Sequence, residues 1–272
     1  MTATSDVAFD RLLTYVDAEL GFSTGAYNRD YLVRRVATRL RRTETDDYRA
    51  YHRFLQESPP ERAALLDALS VNVTSFFRNP EVWESVRDAL RDRTATTTGP
   101  IRVWSAACSE GREAYSVALL ALTDPEIDDR RVEIVGTDIK ESVLEVARGG
   151  VYRTADPEEL AWLPESSEYF DWAGDTMTLS PAVTRFVRFE RRDLLTDRPF
   201  RDVDLLLCRN FLIYVDESAR DDLFATFADA VVPGGYLTLG MTETLPTSAR
   251  EAFETVVGRR RVYRRTGGGD NV

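Results

Sequence analysis

The feature of this sequence that most restricts its fold is a change of pattern near residue 100. Before it, apolar residues recur at three- and four-residue spacing, which is typical of amphipathic helices. After it, short apolar runs rich in β-branched residues alternate with helical segments. Strands that alternate with helices indicate βαβ units and a parallel sheet covered on both faces. The 272 residues are therefore expected to combine a helical part with an α/β part.

The helical part is predicted from the spacing of apolar residues and from the residues that start and end helices. Helices are expected over 6–20, 29–42, 45–57, 59–72 and 80–90. Pro80 favours a helix start, and the Thr-rich stretch that ends in Gly99 and Pro100 is typical of a linker. The predicted domains are a helical domain (1–92), a linker (93–100), an α/β domain (101–265) and a disordered tail (266–272).

The α/β part contains a segment that breaks its alternation. Strands are predicted over 101–107, 131–139, 202–210 and 234–243, with helices over 112–123, 140–150 and 216–232. Residues 151–192 instead combine a short helix with strand candidates at 168–173, 176–180 and 185–190. We interpret 151–192 as a small antiparallel β-subdomain inserted between two strands of the main sheet.

Composition excludes several classes of protein. The sequence has no run of about 18 apolar residues and no basic-then-apolar start, so we expect a cytoplasmic protein without membrane insertion. Two cysteines, Cys108 and Cys208, and one histidine, His52, are too few for a disulfide framework or a Cys/His metal site. We expect no bound metal, and only His52 could serve a Ser-His-Asp triad.

The charge is strongly acidic, and its positive part is almost entirely arginine. The net charge of −11 argues against nucleic-acid binding. Lys140 is the one lysine among 35 basic residues. An acidic, lysine-poor chain suggests a halophilic host, and a GC-rich genome, which favours arginine codons, is the alternative explanation.

Small and polar residues stand where predicted strands end, which is the edge at which open α/β sheets bind ligands. Ser105, Ala107 and other small residues after the first strand would let a ligand approach the backbone, although the single Gly111 does not match G-x-G-x-x-G. Asp138, after the second strand, could accept the hydroxyls of a ribose or could cap the next helix. Together these signals favour a nucleoside-type cofactor.

Two further polar clusters have both a structural and a functional interpretation. Arg209 and Asn210 follow the apolar run DLLLC; Asn210 could cap a helix, whereas Arg209 needs a partner or a ligand. In SVNVTSFFR, Asn72, Thr74 and Arg78 lie around two phenylalanines, and composition alone would assign this stretch to a helix end and turn.

Four segments, in this order, resemble the CheR family of chemotaxis receptor methyltransferases. NVTSFFR is similar to the family's N-L-T-x-F-F-R, and SAACSEGREAYS is similar to S-A-A-C-S-x-G-E-E-P-Y-S. GTDIKESVLEVARGGVY is similar to x-T-D-I-x-x-x-x-L-x-x-A-x-x-G-x-Y, and FRDVDLLLCRNFLIYVD is similar to F-D-x-I-x-C-R-N-V-x-I-Y-F. The resemblance covers residues 7–245 and implies a class I S-adenosylmethionine-dependent (Rossmann-like) methyltransferase sheet, an N-terminal all-helical domain and the inserted antiparallel β-subdomain.

The resemblance also implies a cofactor, a reaction and a site. S-adenosylmethionine would become S-adenosylhomocysteine as glutamate side chains of methyl-accepting chemotaxis receptors become methyl esters. By motif position, the residues that would bind the cofactor are Asn72, Thr74, Arg78, Ala107, Glu113, Asp138, Asp193, Leu194, Arg209 and Asn210. Those nearest the transferred methyl would be Arg78, Arg209 and Tyr214, beside an apolar wall of Phe76, Phe77 and Phe211.

The sequence departs from the family pattern at three points. E-E-P-Y-S reads R-E-A-Y-S at 112–116, so Glu113 is present but the proline is not. The asparagine common before Leu-Leu is Asp193, and G-H-S-E reads G-M-T-E at 240–243. No residue that methyl transfer to a carboxylate needs is missing, because a carboxylate is already a nucleophile at neutral pH.

The predicted helix over 29–42 carries a basic stripe opposite its apolar face. The stripe consists of Arg34, Arg35, Arg41 and Arg42, with Arg39 at its edge. A solvated face is the simpler interpretation. In a chain this acidic, the stripe suggests docking of an acidic receptor helix, as the family resemblance also implies.

Three alternative functions are open from the sequence. They are a methyltransferase for another substrate, a scaffold that binds cofactor without turnover, and a nicotinamide dehydrogenase, which the missing G-x-G-x-x-G disfavours. We expect a monomer that acts on the cytoplasmic helical region of the receptors.

Overall fold

The computed structural model of the chain describes residues 3–69, 74–153 and 157–267. The chain forms two compact units, of which the first comprises 1–71 and 214–220 and the second comprises 72–213 and 221–272. None of the helices within the described residues combines the length and the apolar character that a membrane crossing requires.

The first unit is built from helices whose apolar faces pack together. They are α1 (Ala3–Leu20), α2 (Arg29–Arg42), α3 (Tyr48–Glu57) and α4 (Pro59–Leu69). Asn28 caps α2 by accepting the Tyr31 N–H, and Asp47 caps α3 by accepting two amides. Because α1 packs on α3 and α2 packs on α4, side chains such as Leu12 and Val36 are fully buried.

The second unit contains two sheets. Its strands are β1 (Ile101–Ala106), β2 (Val132–Asp138), β3 (Val151–Arg153), β4 (Phe170–Ala173), β5 (Thr176–Leu179), β6 (Val187–Arg191), β7 (Val203–Cys208), β8 (Val231–Leu239), β9 (Phe253–Val257) and β10 (Val262–Arg265). The main sheet has seven strands in the order β6-β2-β1-β7-β8-β10-β9. The first five strands of this order, from β6 through β2, β1 and β7 to β8, are parallel. Strand β10 is antiparallel to both of its neighbours. The strand order reverses between β1 and β7, and this is the point at which such sheets bind ligands.

Helices of the second unit include α5 (Pro80–Thr96), α6 (Arg112–Thr123), α7 (Glu141–Gly149) and α8 (Pro181–Thr184). Helix α9 (Glu217–Ala230) begins in the first unit and continues into the second. The structure differs from the predicted linker at 93–100, because α5 continues to Thr96 and packs on β1, β7 and β8. Arg93 in that stretch is buried and paired with Asp204.

The small sheet also differs from the predicted insert at 151–192. It has the order β3-β5-β4 with antiparallel pairing. The strand candidate at 185–190 is not part of it, because β6 pairs in parallel with β2 at the edge of the main sheet. Phe189 of β6 lies against Gly136 of β2, where an added Cβ would be 2.6 Å from its ring.

Candidate functional site

The loop between β1 and α6 brings main-chain groups to the carboxyl ends of two strands. Ala107, Ser109 and Gly111 have left-handed backbones, with φ of 56°, 53° and 79°. At Gly111 an added Cβ would lie 2.6 Å from the Phe189 ring, so only glycine fits. The Cys108 N–H donates to the Thr137 carbonyl at 2.8 Å, which ties the loop to β2.

Asp138, at the end of β2, is held by this same loop. Its Oδ2 accepts the Ser109 N–H at 2.9 Å, and its Oδ1 accepts the Lys140 N–H at 3.1 Å. Desolvation by burial raises the pKa of the Asp138 carboxyl, although these hydrogen bonds oppose the shift. The Ser109 hydroxyl is buried and has no hydrogen-bond partner among the described residues.

A second cluster forms around Arg209, directly after β7. Its Nη1 lies 3.4 Å from Oε2 of Glu113, whose Oε1 accepts the Ser105 hydroxyl at 2.8 Å. Its Nη2 donates to the Arg78 carbonyl at 2.8 Å and to Asn79 Oδ1 at 3.1 Å. The Arg209 side chain is only 2% exposed, and its Nε has no hydrogen-bond partner among the described residues.

Burial moves the pKa values of this ion pair in opposite directions. Desolvation raises the pKa of Glu113 even though Arg209 opposes the shift. Desolvation also lowers the pKa of Arg209, although an arginine remains protonated at physiological pH. Burial therefore opposes the charged form of both groups, and each gains from further polar contacts.

The loop that carries Arg209 and Asn210 depends on a carboxylate that the site prediction omitted. Glu243 accepts the N–H groups of Asn210 at 3.0 Å, Leu212 at 2.7 Å and Gly240 at 2.5 Å. Asn210 has a left-handed backbone with φ of 61°, and no α-helix starts there, so the helix-cap interpretation of Asn210 is wrong. The match of G-M-T-E to G-H-S-E was the sequence signal for Glu243.

The remaining predicted cofactor residues belong to the segment before α5 and to the turn after β6. Thr74 is half-buried, and Asn72 lies outside the described residues. Asp193 and Leu194 are half-buried in the turn after β6, where Asp193 Oδ1 accepts the Leu195 N–H at 2.9 Å.

Tyr214 and the two phenylalanines have surroundings that the sequence did not indicate. Tyr214 belongs to the first unit, where its ring packs against Tyr31 with centroids 4.9 Å apart. Its place nearest the methyl stays a prediction. Phe76 and Phe77 are each 1% exposed, because their rings pack on Tyr152, Phe170, Trp83 and Trp162 in the core of the second unit. The expected apolar wall of Phe76 and Phe77 is therefore wrong.

The basic stripe of α2 is present in reduced form. Arg34, Arg41 and Arg42 are exposed. The Arg35 guanidinium lies over the Tyr31 ring, 5.1 Å from its centroid. Including Arg39 was wrong, because its guanidinium forms a double hydrogen bond with Glu61 and the side chain is 12% exposed.

Comparison with known proteins accounts for both units. Residues 72–262 match the family model described as "CheR methyltransferase, SAM binding domain", and residues 8–70 match "CheR methyltransferase, all-alpha domain". A "Chemotaxis protein methyltransferase" of Listeria monocytogenes is 29% identical over 89% of this chain and 91% of its own length. The protein of the same name in Salmonella typhimurium is 29% identical over 92% of this chain and 88% of its own length. "Chemotaxis protein methyltransferase 2" of Vibrio cholerae is 32% identical over 89% of this chain and 86% of its own length.

These matches confirm the predicted fold class and the predicted cofactor, S-adenosylmethionine. They also agree with the observed order of an all-helical unit followed by a mostly parallel sheet with a small antiparallel one. The chain belongs to the CheR methyltransferase family.

Proposed function

We propose that this methyltransferase transfers a methyl group from S-adenosylmethionine to glutamate side chains of chemotaxis receptors. The names of the relatives, which join chemotaxis to methyl transfer, support a receptor substrate. The observation that carries the carboxylate acceptor is the buried Arg209–Glu113 cluster at the end of β7, where the charge of Arg78 also acts on Glu113 and no histidine contributes. His52, the one histidine of the chain, lies in α3 of the first unit.

The residues at the strand ends fit S-adenosylmethionine. The Glu113 carboxylate suits the cationic amino group of its methionine part, and Asp138 suits the ribose hydroxyls. Within the described residues, Ser109 Oγ and Arg209 Nε are buried without hydrogen-bond partners, and a polar ligand would supply them. The small side chain of Ala107, directly after β1, lets a ligand approach the main chain closely.

The full set of proposed cofactor residues keeps every position that the family motifs indicate. It consists of Asn72, Thr74, Arg78, Ala107, Glu113, Asp138, Asp193, Leu194, Arg209 and Asn210. Glu243 joins them as the carboxylate that fixes the Asn210 loop through three amides.

When bound, S-adenosylmethionine supplies a methyl group attached to a cationic sulfonium. The acceptor is a carboxylate at neutral pH, so no side chain has to remove a proton. Arg209 fixes the segment that carries Arg78 by donating to the Arg78 carbonyl. Arg78 and Tyr214 are proposed to orient the acceptor carboxylate, with catalysis arising mainly from positioning and from exclusion of water.

Receptor docking is proposed for the exposed arginines of α2. Arg34, Arg41 and Arg42 give a positive surface on a chain whose net charge is −11. Such a surface complements an acidic helix and would mainly increase the rate of encounter. We propose that the protein acts as a monomer on the cytoplasmic part of the receptors.

The test is transfer of tritium from methyl-labelled S-adenosylmethionine to receptors in isolated membranes. Glutamate methyl esters release labelled methanol in mild base, whereas methylated amines do not. We expect base-labile label on the receptor band and none with receptors whose acceptor glutamates are replaced by alanine.

Two results would contradict the proposal. Base-stable label would exclude a carboxylate acceptor. Cofactor binding in calorimetry without any labelled receptor would exclude the receptor as the substrate and leave the family assignment unchanged.

A further inference from the structure

A buried ion pair outside the predicted site joins three separate parts of the second unit. Arg112, the first residue of α6, donates from Nη1 to both Glu159 oxygens, at 3.1 and 2.9 Å. Its guanidinium also lies over the rings of Tyr152, at 4.6 Å, and Phe76, at 5.6 Å. The Arg112 and Glu159 side chains are 10% and 20% exposed, so solvent screens the pair only weakly.

The Glu159 side chain also accepts a main-chain amide of the segment that precedes α5. Its Oε2 accepts the Phe76 N–H at 2.8 Å, while the next amide, of Phe77, donates to Ser116 Oγ at 3.0 Å. Both amides therefore donate to side-chain oxygens and not to carbonyls of a helix or a neighbouring strand. The Phe76 ring is 1% exposed, so water has little access to replace the Glu159 oxygen.

This segment needs such contacts because its backbone conformation is unfavourable. Phe77 and Asn79 have φ of 46° and 58°, a region that residues with a Cβ rarely adopt. Between them stands Arg78, whose carbonyl accepts the Arg209 Nη2 and the Trp83 indole N–H. Surrounding contacts must therefore hold Arg78 in place. Glu159 contributes through Phe76, the residue before the left-handed Phe77.

We propose that Glu159 is a positioning residue for Arg78, and that Arg112 holds Glu159 in the orientation that accepts the Phe76 amide. Arg112 stands where the family motif similar to 105–116 carries a glutamate, and a glutamate at this position would repel Glu159. The inference concerns the arrangement of the cofactor site and does not depend on which substrate is methylated.

The test compares Glu159→Met with Glu159→Gln, two side chains of similar length that differ in whether they offer an oxygen. Hydrogen exchange of the peptide that contains residues 74–79 is followed by mass spectrometry without cofactor, and the affinity for S-adenosylmethionine is measured by calorimetry. In Glu159→Met we expect exchange about tenfold faster and affinity about tenfold weaker, from loss of one buried hydrogen bond. In Glu159→Gln both changes should stay below about threefold, because the amide oxygen still accepts the Phe76 N–H.

Two controls keep the result specific. Glu165→Ala, at an exposed position nearby, should change neither quantity, and slow exchange in the β7 peptide shows that each variant is folded. If Glu159→Met does not fold, Arg112→Gln, which breaks the ion pair, should speed exchange at 74–79 with β7 still protected. Unchanged exchange at 74–79 in both Glu159→Met and Arg112→Gln would overturn the proposal. Equal effects of Glu159→Met and Glu159→Gln would also overturn it, since charge rather than the Phe76 hydrogen bond would then matter.

Discussion

Burial of the Glu113–Arg209 pair is expected to give the proposed cofactor site a pH dependence. Glu113 is desolvated more than Arg209 compensates, so its pKa is raised above the usual value of 4.5. For folding, a raised carboxyl pKa means that this group's contribution to stability is present at low pH and is lost as the pH rises through that pKa. For binding of a cationic ligand the trend is opposite, because only the carboxylate form attracts the ligand's amino group.

We therefore expect the affinity for S-adenosylmethionine to fall as the pH is lowered from neutral through the raised pKa of Glu113. Protonation of Glu113 removes the charge that complements the amino group, and binding at low pH must release that proton. Calorimetry across this range, in two buffers that differ in ionisation enthalpy, measures both effects. Asp138, whose pKa is also raised by burial, adds to the trend.

Glu113→Gln is the matched variant. Its affinity should be at least tenfold weaker at neutral pH, as expected when a charge-assisted contact is lost, and its pH dependence should be smaller. A parent protein whose affinity and proton release do not vary with pH would contradict the proposed role of Glu113.

Glu243 accepts three main-chain amides around the Asn210 loop, and its replacement tests whether these hydrogen bonds fix the loop. Glu243→Gln leaves one acceptor oxygen for three amides, so we expect the free energy of unfolding to fall by about 1–3 kcal/mol and kcat to fall with it. Urea unfolding and the methyl-transfer assay measure the two quantities. Glu254→Gln on the exposed face of β9 is the control and should change the free energy of unfolding by less than about 0.5 kcal/mol. A stable Glu243→Gln protein with unchanged turnover would contradict this role.

At the scale of elements, local pattern predicted the long helices and the central parallel strands but not β3, β9 or β10. Tertiary partners decided the difference at the predicted linker. Helices α2 and α6 have the bounds that their apolar spacing predicted, 29–42 and 112–123. The polar stretch after residue 90 has the composition of a linker, yet Arg93 is buried because Asp204, 111 positions later, neutralises it. No local pattern contains that information.

In the candidate site, too, motifs indicated some residues, while other contacts depend on distant partners that only the structure shows. Motif resemblance indicated Glu113, Asp138 and Arg209. In the structure Asp138 ends β2 and Arg209 follows β7, while Glu113, in the first turn of α6, accepts the Ser105 hydroxyl of β1, the strand between them. The exclusion of Arg39 from the stripe depends on Glu61, which belongs to another helix. The edge strand β6 was assigned to the insert because a short alternating strand has the same pattern in either sheet.

The Arg93–Asp204 pair makes α5 part of the sheet domain, and this can be measured. Asp204 Oδ1 accepts from Arg93 Nε at 2.9 Å, and its Oδ2 accepts the Arg102 N–H at 2.9 Å. Asp204→Asn leaves the guanidinium buried without its charge partner, so we expect a loss of about 3 kcal/mol in the free energy of unfolding. Asp202→Asn, two residues away with a side chain that is 74% exposed, should cost less than about 0.5 kcal/mol in urea unfolding. Equal effects of the two variants would show that the pair contributes no net stability.

Helix α2 provides a test of docking that is separate from catalysis. Arg41→Glu combined with Arg42→Glu reverses two exposed charges, so we expect the KM for receptor to rise about tenfold with little change in kcat. The affinity for S-adenosylmethionine should stay the same. Arg49→Glu combined with Arg53→Glu, two exposed positions on α3, is the control that changes the net charge by the same amount. If the control raises KM as much as the double variant, the effect is general repulsion and α2 is not the docking surface.

For the whole molecule, the excess of 46 acidic over 35 basic residues makes stability a function of salt. Self-repulsion of a net charge of −11 destabilises the compact state, and salt removes this effect as the Debye length falls from about 10 Å at 0.1 M to about 3 Å at 1 M. Screening of charge is essentially complete at about 1 M salt. Screening alone therefore predicts a Tm that rises with salt and levels off before about 1 M.

Adaptation to a salty cytoplasm predicts a different curve from screening alone. Carboxylates on an acidic surface that bind hydrated cations only in the folded state would continue to stabilise it at molar salt by mass action. We expect the Tm to keep rising in KCl from about 1 M to about 3 M, beyond the range in which the Debye length changes appreciably. Calorimetric scans in KCl, with tetramethylammonium chloride as the control cation, measure this. A plateau below about 1 M in both salts would instead favour codon composition as the origin of the arginine-rich, lysine-poor sequence, because screening acts on any acidic protein and does not distinguish the cation.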